Sequence, residues 1–242
     1  MKLGIISDIH ANMEALDAVL ALLDSKSATS YVCCGDLVGY GPDPNLCVER
    51  IRGLRCQCIA GNHDFGVLGR TPLDKFNPAA ARALEWTRSQ LTESNCIYLQ
   101  NLPLTDVTDP LFLVHASPSA PDQWEYVFTL REGIEEMEYY QEPVCITGHS
   151  HFPFVVERVH GQPARLVRQN SFELRPDAKY FVNAGSVGQP RDGDPRACCI
   201  LYDVPAGTMT FHRVPYDIQS VQAKIRTAGL AEFLASRLAA GR

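Results

Sequence analysis

Five of the seven histidines, His10, His63, His115, His149 and His151, fall in short polar clusters that directly follow apolar runs. Asp8, Asp36, Asn62 and Asp64 share those clusters. Imidazoles gathered with carboxylates in polar turns are not explained by core packing. Imidazole nitrogen with carboxylate and amide oxygen, and no thiolate, is the ligand field of Mn, Fe, Zn or Co. A closed structural zinc site rich in cysteine would look different.

The elements that must position these residues follow from hydrophobic periodicity. Leu3 to Ile6 reads as a strand, and Asn12 to Asp24, apolar at 13, 16, 19, 20 and 23, reads as an amphipathic helix. Tyr31 to Cys34 and Leu46 to Ile51 repeat the order, and Arg55 to Ala60 is a third strand candidate. Ala79 to Leu91 is a further helix, Leu111 to Val114 a strand, Arg131 to Tyr140 a helix and Val144 to Thr147 a strand. Strand, loop and helix in series predict a largely parallel sheet with helices on its faces. From Phe154 the pattern changes to short β-type runs, at 154 to 159, 164 to 169, 180 to 183, 198 to 203 and 208 to 214, which predict an antiparallel half. Ile218 to Ala240 is helical, broken at Gly229. The polar clusters all lie just past the carboxyl ends of strands, where open α/β sheets bind ligands.

The 242 residues are 45% hydrophobic and 21% charged, which excludes disordered and low-complexity classes. With no repeat and no long linker, a single domain over residues 1–242 is expected. The net charge of -6 gives no global basic field, so long nucleic acid is a poor partner. No apolar run reaches membrane-spanning length and the amino terminus lacks a signal-peptide pattern, which predicts a cytoplasmic protein with no membrane partner. The nine cysteines, an odd number spread through apolar runs, read as reduced buried thiols.

Asp8-Ile9-His10, Gly35-Asp36, Gly61-Asn62-His63-Asp64, His115 and Gly148-His149-Ser150-His151 resemble, in order, the signature blocks of the calcineurin-like metallophosphoesterases. The run Asn183 to Arg191 is similar to a loop of the small prokaryotic phosphodiesterase branch. The resemblance covers residues 1 to about 190. It implies an α/β fold of two mixed β-sheets packed as a sandwich flanked by helices, in four layers. It also implies one metal held by Asp8, His10, Asp36 and His151 and a second held by Asp36, Asn62, His115 and His149. A shared carboxylate suits that arrangement, because cations about 3.5 to 4 Å apart need an anionic bridge to offset their repulsion.

The function implied is hydrolysis of a phosphodiester or nucleotide-type phosphoanhydride in a small molecule, by attack of a metal-bridging hydroxide. The alternatives are a phosphomonoesterase, acting on a small molecule or a phosphoprotein, and a metal-binding scaffold without turnover. Two divalent ions are the expected cofactors, with Mn or Fe favoured and Zn, Co or Ni possible. His63 takes the general-acid or charge-stabilising duty, and Asp64 is expected to hold its tautomer and raise its basicity. Arg191, together with Arg196, could pair with a phosphate oxygen, and Tyr40 could line the pocket. Trp124 and Tyr126 are candidates for a lid.

Overall fold

The computed structural model describes residues 1–108 and 110–242. Twelve strands occur among the described residues: β1 (Lys2–Ile6), β2 (Ser30–Cys33), β3 (Gln57–Cys58), β4 (Thr105–Thr108), β5 (Leu111–Val114), β6 (Val144–Thr147), β7 (Phe154–Val159), β8 (Arg165–Leu166), β9 (Ser171–Glu173), β10 (Ala178–Asn183), β11 (Ala197–Asp203) and β12 (Thr208–Val214). The helices are α1 (Met13–Ser25), α2 (Pro44–Gly53), α3 (Asn62–Val67), α4 (Pro78–Gln90), α5 (Glu93–Gln100), α6 (Leu130–Glu136), α7 (Ile218–Thr227) and α8 (Glu232–Ala240). Tight 3-10 turns cover Leu73–Lys75 and Met137–Tyr139.

Two six-stranded sheets form, in the orders β3-β2-β1-β11-β12-β9 and β4-β5-β6-β10-β7-β8. The first three strands are parallel, as the strand-loop-helix series predicts, but β11 pairs antiparallel with β1, Ile5 opposite Ile200. The second sheet is likewise mixed: β5, β6 and β10 run parallel, while β4 and β7 are antiparallel to their neighbours. Parallel and antiparallel strands are therefore not divided between the halves of the chain, which corrects the expected segregation. Strands late in sequence extend the sheet that the early units start.

Alternation along β1 explains the layering. Leu3 and Ile5 face an inter-sheet core with Leu113, Ile146, Val182 and Ile200, while Ile6 faces the helices with Leu16, Val19 and Leu20 of α1. A third apolar layer, with Val114, Met137 and Phe181, lies against α6 on the far side of the second sheet. The result is helix, sheet, sheet, helix. Helix starts are set by local chemistry: the Asn12 side chain accepts from the Ala15 N–H at 3.1 Å, and Thr129 and Glu132 form a capping box for α6. No described helix is long and apolar enough to cross a membrane.

The parallel strands β1, β2 and β3 of one sheet and β5, β6 and β10 of the other end at the same rim. Their carboxyl-terminal turns meet across the seam between the sheets.

Candidate metal centre

The turns at that rim carry the converging side chains. Asp8 and His10 follow β1, Asp36 follows β2, Asn62 opens α3 after β3, His115 directly follows β5, and His149 and His151 follow β6. All seven are buried. Asp8, His10, Asp36 and His151 form one group that could hold a metal ion, and Asp36, His115 and His149 a second. Within each group the offered ligand atoms lie within 4.8 Å of one another.

Such convergence is held in place by unusual backbone. Asp8 (φ 54°), His10 (48°), Asp36 (54°), His149 (65°) and His151 (59°) all adopt left-handed conformations. For residues with a Cβ each costs on the order of 1 kcal/mol or more, which the surrounding fold must supply. Close packing leaves no slack: a Cβ on Gly148 would overlap both the Ser7 hydroxyl and the Asp8 carboxylate.

The hydrogen bonds around the imidazoles define the chemistry. His10 Nδ1 meets the Val38 carbonyl at 3.2 Å, His115 Nδ1 that of Cys34 at 2.6 Å, His151 Nδ1 that of Gln189 at 2.6 Å, and His149 Nε2 that of Trp124 at 2.9 Å. A carbonyl only accepts, so each of these outer nitrogens carries the proton and donates. A neutral ring then presents a bare lone pair on its inner nitrogen. The inner nitrogens of His10 and His151 stand 3.0 Å apart, and those of His115 and His149 stand 3.2 and 3.0 Å from Asn62 Oδ1. Acceptors facing acceptors are satisfied by a cation between them, and outer N–H groups tied to carbonyls are the support that metal-bound histidines require. The donor set fits two divalent ions.

Asp36 sits between the groups. Its Oδ2 lies 3.5 Å from His10 Nε2 and 3.4 Å from His115 Nε2, while the His63 backbone N–H donates to its Oδ1 at 2.8 Å. Burial opposes ionisation of both aspartates, yet His151 beside Asp8 and His115 beside Asp36 hold their carboxyls below the ordinary carboxylate range. Burial also works against charge on His115, but Asp36 raises its pKa to about 10. Burial takes His149 down to about 3, with the His115 charge adding to the effect.

Asp64 does not do what the sequence suggests. Its oxygens accept from four backbone N–H groups, of Asp36 at 2.9 Å, Leu37 at 3.0 Å, Val38 at 3.3 Å and Gly61 at 2.9 Å. It organises the Asp36 turn and makes no hydrogen bond to His63. Nor is His63 made more basic: burial, opposed by Asp36 and assisted by Arg191, brings it down to about 4. Its Nδ1 is buried without a hydrogen-bond partner, and its ring packs against those of Tyr40, His10 and Phe76.

The outer candidates divide. Arg191 stands with its Cζ 5.7 Å from the Tyr40 ring centroid, and its N–H donates to the His151 carbonyl at 3.3 Å. Arg196 instead forms a salt bridge with Asp194, which corrects its expected pairing with phosphate. Tyr40, Asn62, His63 and His149 line a cleft of about 510 Å³, with Trp124 and Tyr126 in its wall. Tyr126 stacks on the His149 ring at 4.1 Å. Sequence reasoning missed the opposite wall, built by Arg70, Thr71, Lys75 and Phe76. The Trp124 Nε1–H donates to Thr71 Oγ1 at 3.2 Å, linking the walls. Pro72 with two nearby cations, directly after the Asn62 cluster, was the available signal.

Comparison with known proteins agrees with this geometry. A family model described as the calcineurin-like phosphoesterase superfamily domain matches residues 1–206. The chain is 39% identical over 244 residues to an uncharacterized protein of Methanocaldococcus jannaschii, covering 99% of this chain and 98% of that one. It is 30% identical over 146 residues to the phosphodiesterase YfcE of Escherichia coli, covering 55% of this chain and 78% of that protein. Among solved structures, a metallophosphoesterase from Sphaerobacter thermophilus superposes with a TM-score of 0.88 at 39% identity, over 100% of this chain and 99% of the other. A hypothetical protein from Pyrococcus horikoshii OT3 shares the fold, with a TM-score of 0.81 at 20% identity over 100% of this chain and 98% of the other.

Proposed function

The chain belongs to the calcineurin-like phosphoesterase superfamily, and from that premise we propose that it hydrolyses a phosphodiester, or a nucleotide-type phosphoanhydride, in a small molecule. The observation that carries this reading is the set of four imidazoles whose outer N–H groups are tied to carbonyls while their inner nitrogens converge on Asp8, Asp36 and Asn62. Asp8, His10, Asp36 and His151 would hold one ion, and Asp36, Asn62, His115 and His149 the other. The carboxylates and the Asn62 amide oxygen favour Mn or Fe. When bound, the two ions supply an activated water and neutralise phosphoryl oxygens, so no side-chain nucleophile is required.

The protein's own groups do the rest. Asp36 keeps both halves of the site in register, and Asp64 fixes the Asp36 turn through its four N–H acceptances. His63, neutral and without a partner at Nδ1, serves the leaving-group oxygen as a hydrogen-bond donor that stabilises the negative charge developing there. Arg191 takes a non-bridging phosphoryl oxygen, and Tyr40 holds the His63 and Arg191 side chains against one wall. A cleft of about 510 Å³ suits a small molecule. Similarity to a phosphodiesterase supports the diester class. All nine cysteines are free, which supports a reducing, cytoplasmic setting.

The test is the rate on a bis-aryl phosphodiester and on the matching aryl monoester, with metal-stripped protein reconstituted with Mn²⁺. Faster diester turnover upholds the proposal. Turnover of the monoester alone moves the reading to a phosphatase, and no turnover with Mn, Fe, Co or Zn moves it to a scaffold.

A further inference from the structure

The loop from Trp124 to Phe128 carries a pile of near-parallel rings that begins on the metal centre and ends in solvent. Tyr126 stacks on the His149 ring at 4.1 Å with 21° between the planes, and Phe128 follows on Tyr126 at 5.3 Å and 12°. Folding covers neither outer ring: Tyr126 is 49% exposed and Phe128 55%. The start of the loop is nevertheless firmly held. The Trp124 carbonyl accepts the His149 Nε2–H at 2.9 Å, and the indole meets the Phe65 ring at 5.4 Å as well as the Thr71 hydroxyl. Trp124 also keeps a left-handed backbone (φ 60°), which a bulky residue adopts only where its surroundings impose it.

Tyr126 and Trp124 line the cleft of about 510 Å³ beside the metal centre, and Phe76 lines the opposite wall in a T-shaped contact with His63 at 5.2 Å. A group entering this cleft therefore meets aromatic surface on two sides while it stands next to His63. An acyl chain is a poor occupant, because Arg70, Lys75, Asp122 and Gln123 line the same cleft and would lose water to it. A saturated sugar is puckered and gains little from parallel planes. A flat heterocycle extends the pile at the spacing already set and turns its polar edge to those side chains. The cleft has room for such a ring with its ribose and phosphate.

We propose that this cleft is a nucleobase subsite, so that the substrate is a nucleotide ester or anhydride whose base lies against the Tyr126 and Phe128 rings. This deepens the hydrolase reading and rests on it for the identity of the reacting group, though not for the binding of the base. Stacking tolerates any base, since each has a π face, so Tyr126 selects for a planar group rather than for one nucleotide. The same contact places the base one ring away from a metal-ligating imidazole.

The test is calorimetric titration of the full chain, metal-stripped and in chelator so that no turnover occurs, with adenosine 5′-monophosphate and with ribose 5-phosphate. The two share sugar and phosphate and differ only in the base. The nucleotide is expected to bind about tenfold more tightly or more. Tyr126→Ala is expected to abolish most of that preference and to leave ribose 5-phosphate within about twofold, whereas Tyr126→Phe, which keeps the ring, retains the preference. Tyr139→Ala removes an equally exposed ring outside the cleft and is expected to change neither affinity by more than about twofold. Melting curves establish that each variant is folded. Equal or absent binding of the two ligands by the native chain overturns the inference, as does a preference that survives Tyr126→Ala or is lost in Tyr126→Phe. An equal loss for both ligands in Tyr126→Ala makes the ring a support for His149 and also overturns it. If both aryl esters stay intact while the preference still depends on Tyr126, the hydrolase reading falls and the base site stands.

Discussion

The Asp64 carboxylate accepts the Asp36 backbone N–H at 2.9 Å, so one buried acid holds the turn that presents the other. Asp64→Asn puts a donor where one oxygen now accepts, leaving at least one of four N–H groups without an acceptor. The expected cost is about 2 to 3 kcal/mol of stability, read as a lower denaturation midpoint, with weaker metal retention because Asp36 loses its frame. Unchanged stability with an altered pH-rate profile would restore the direct partnership with His63.

Asp36 lies within reach of His10 on one side and His115 on the other. Asp36→Asn is expected to lower kcat by about a thousandfold, some 4 kcal/mol, and to reduce bound metal to less than two ions per chain by elemental analysis. A variant that keeps two ions and near-native turnover removes Asp36 from the bridging position.

Most of this site is legible in the sequence because its residue types are rare in turns and each follows an apolar run. The strands Leu111–Val114, Val144–Thr147, Phe154–Val159 and Thr208–Val214 have the bounds that their patterns predict. What stays hidden is long-range or weakly patterned. The pairing of β11 with β1 joins residues some 200 apart, and no local period announces it. Helix α3 is six residues with Gly66 inside, α5 buries only Asn95 and Leu99, and β4 has no buried residue. The third strand candidate shrinks from Arg55–Ala60 to Gln57–Cys58, since only two residues find ladder partners on β2. Asp64 misleads because adjacency to His63 in sequence says nothing of direction: on α3 the two side chains diverge by about 100°.

Metal loading is expected to release a proton from His115. Without metal its folded pKa, about 10, lies above the ordinary histidine value of 6.5, so its contribution to stability is complete below pH 6.5 and lost as pH rises through 10. A bound ion needs the lone pair of the neutral ring, so between pH 7 and 9 apparent affinity is expected to rise about tenfold per pH unit for this one proton. Calorimetry in two buffers of different ionisation heat counts the proton. Binding with no proton release would show that His115 is not displaced.

His63→Ala is expected to reduce kcat on a bis-aryl phosphodiester by about a hundredfold or more. Bound metal should remain at two ions, because the side chain belongs to neither converging group. Equal losses of kcat and metal would make His63 structural. Full retention of kcat would leave the leaving group unassisted by this residue.

The apposition of His10 and His151 joins positions 141 residues apart in the chain, and the carbonyl that orients His151 comes later still, from Gln189. During synthesis the first three turns emerge early, with Asp8, His10 and Asp36 able to fold near one another while the opposing ligands are unmade. The first group of candidate ligands is complete only once the stretch through His151 has emerged, and its His151 ring is oriented only once Gln189 has followed.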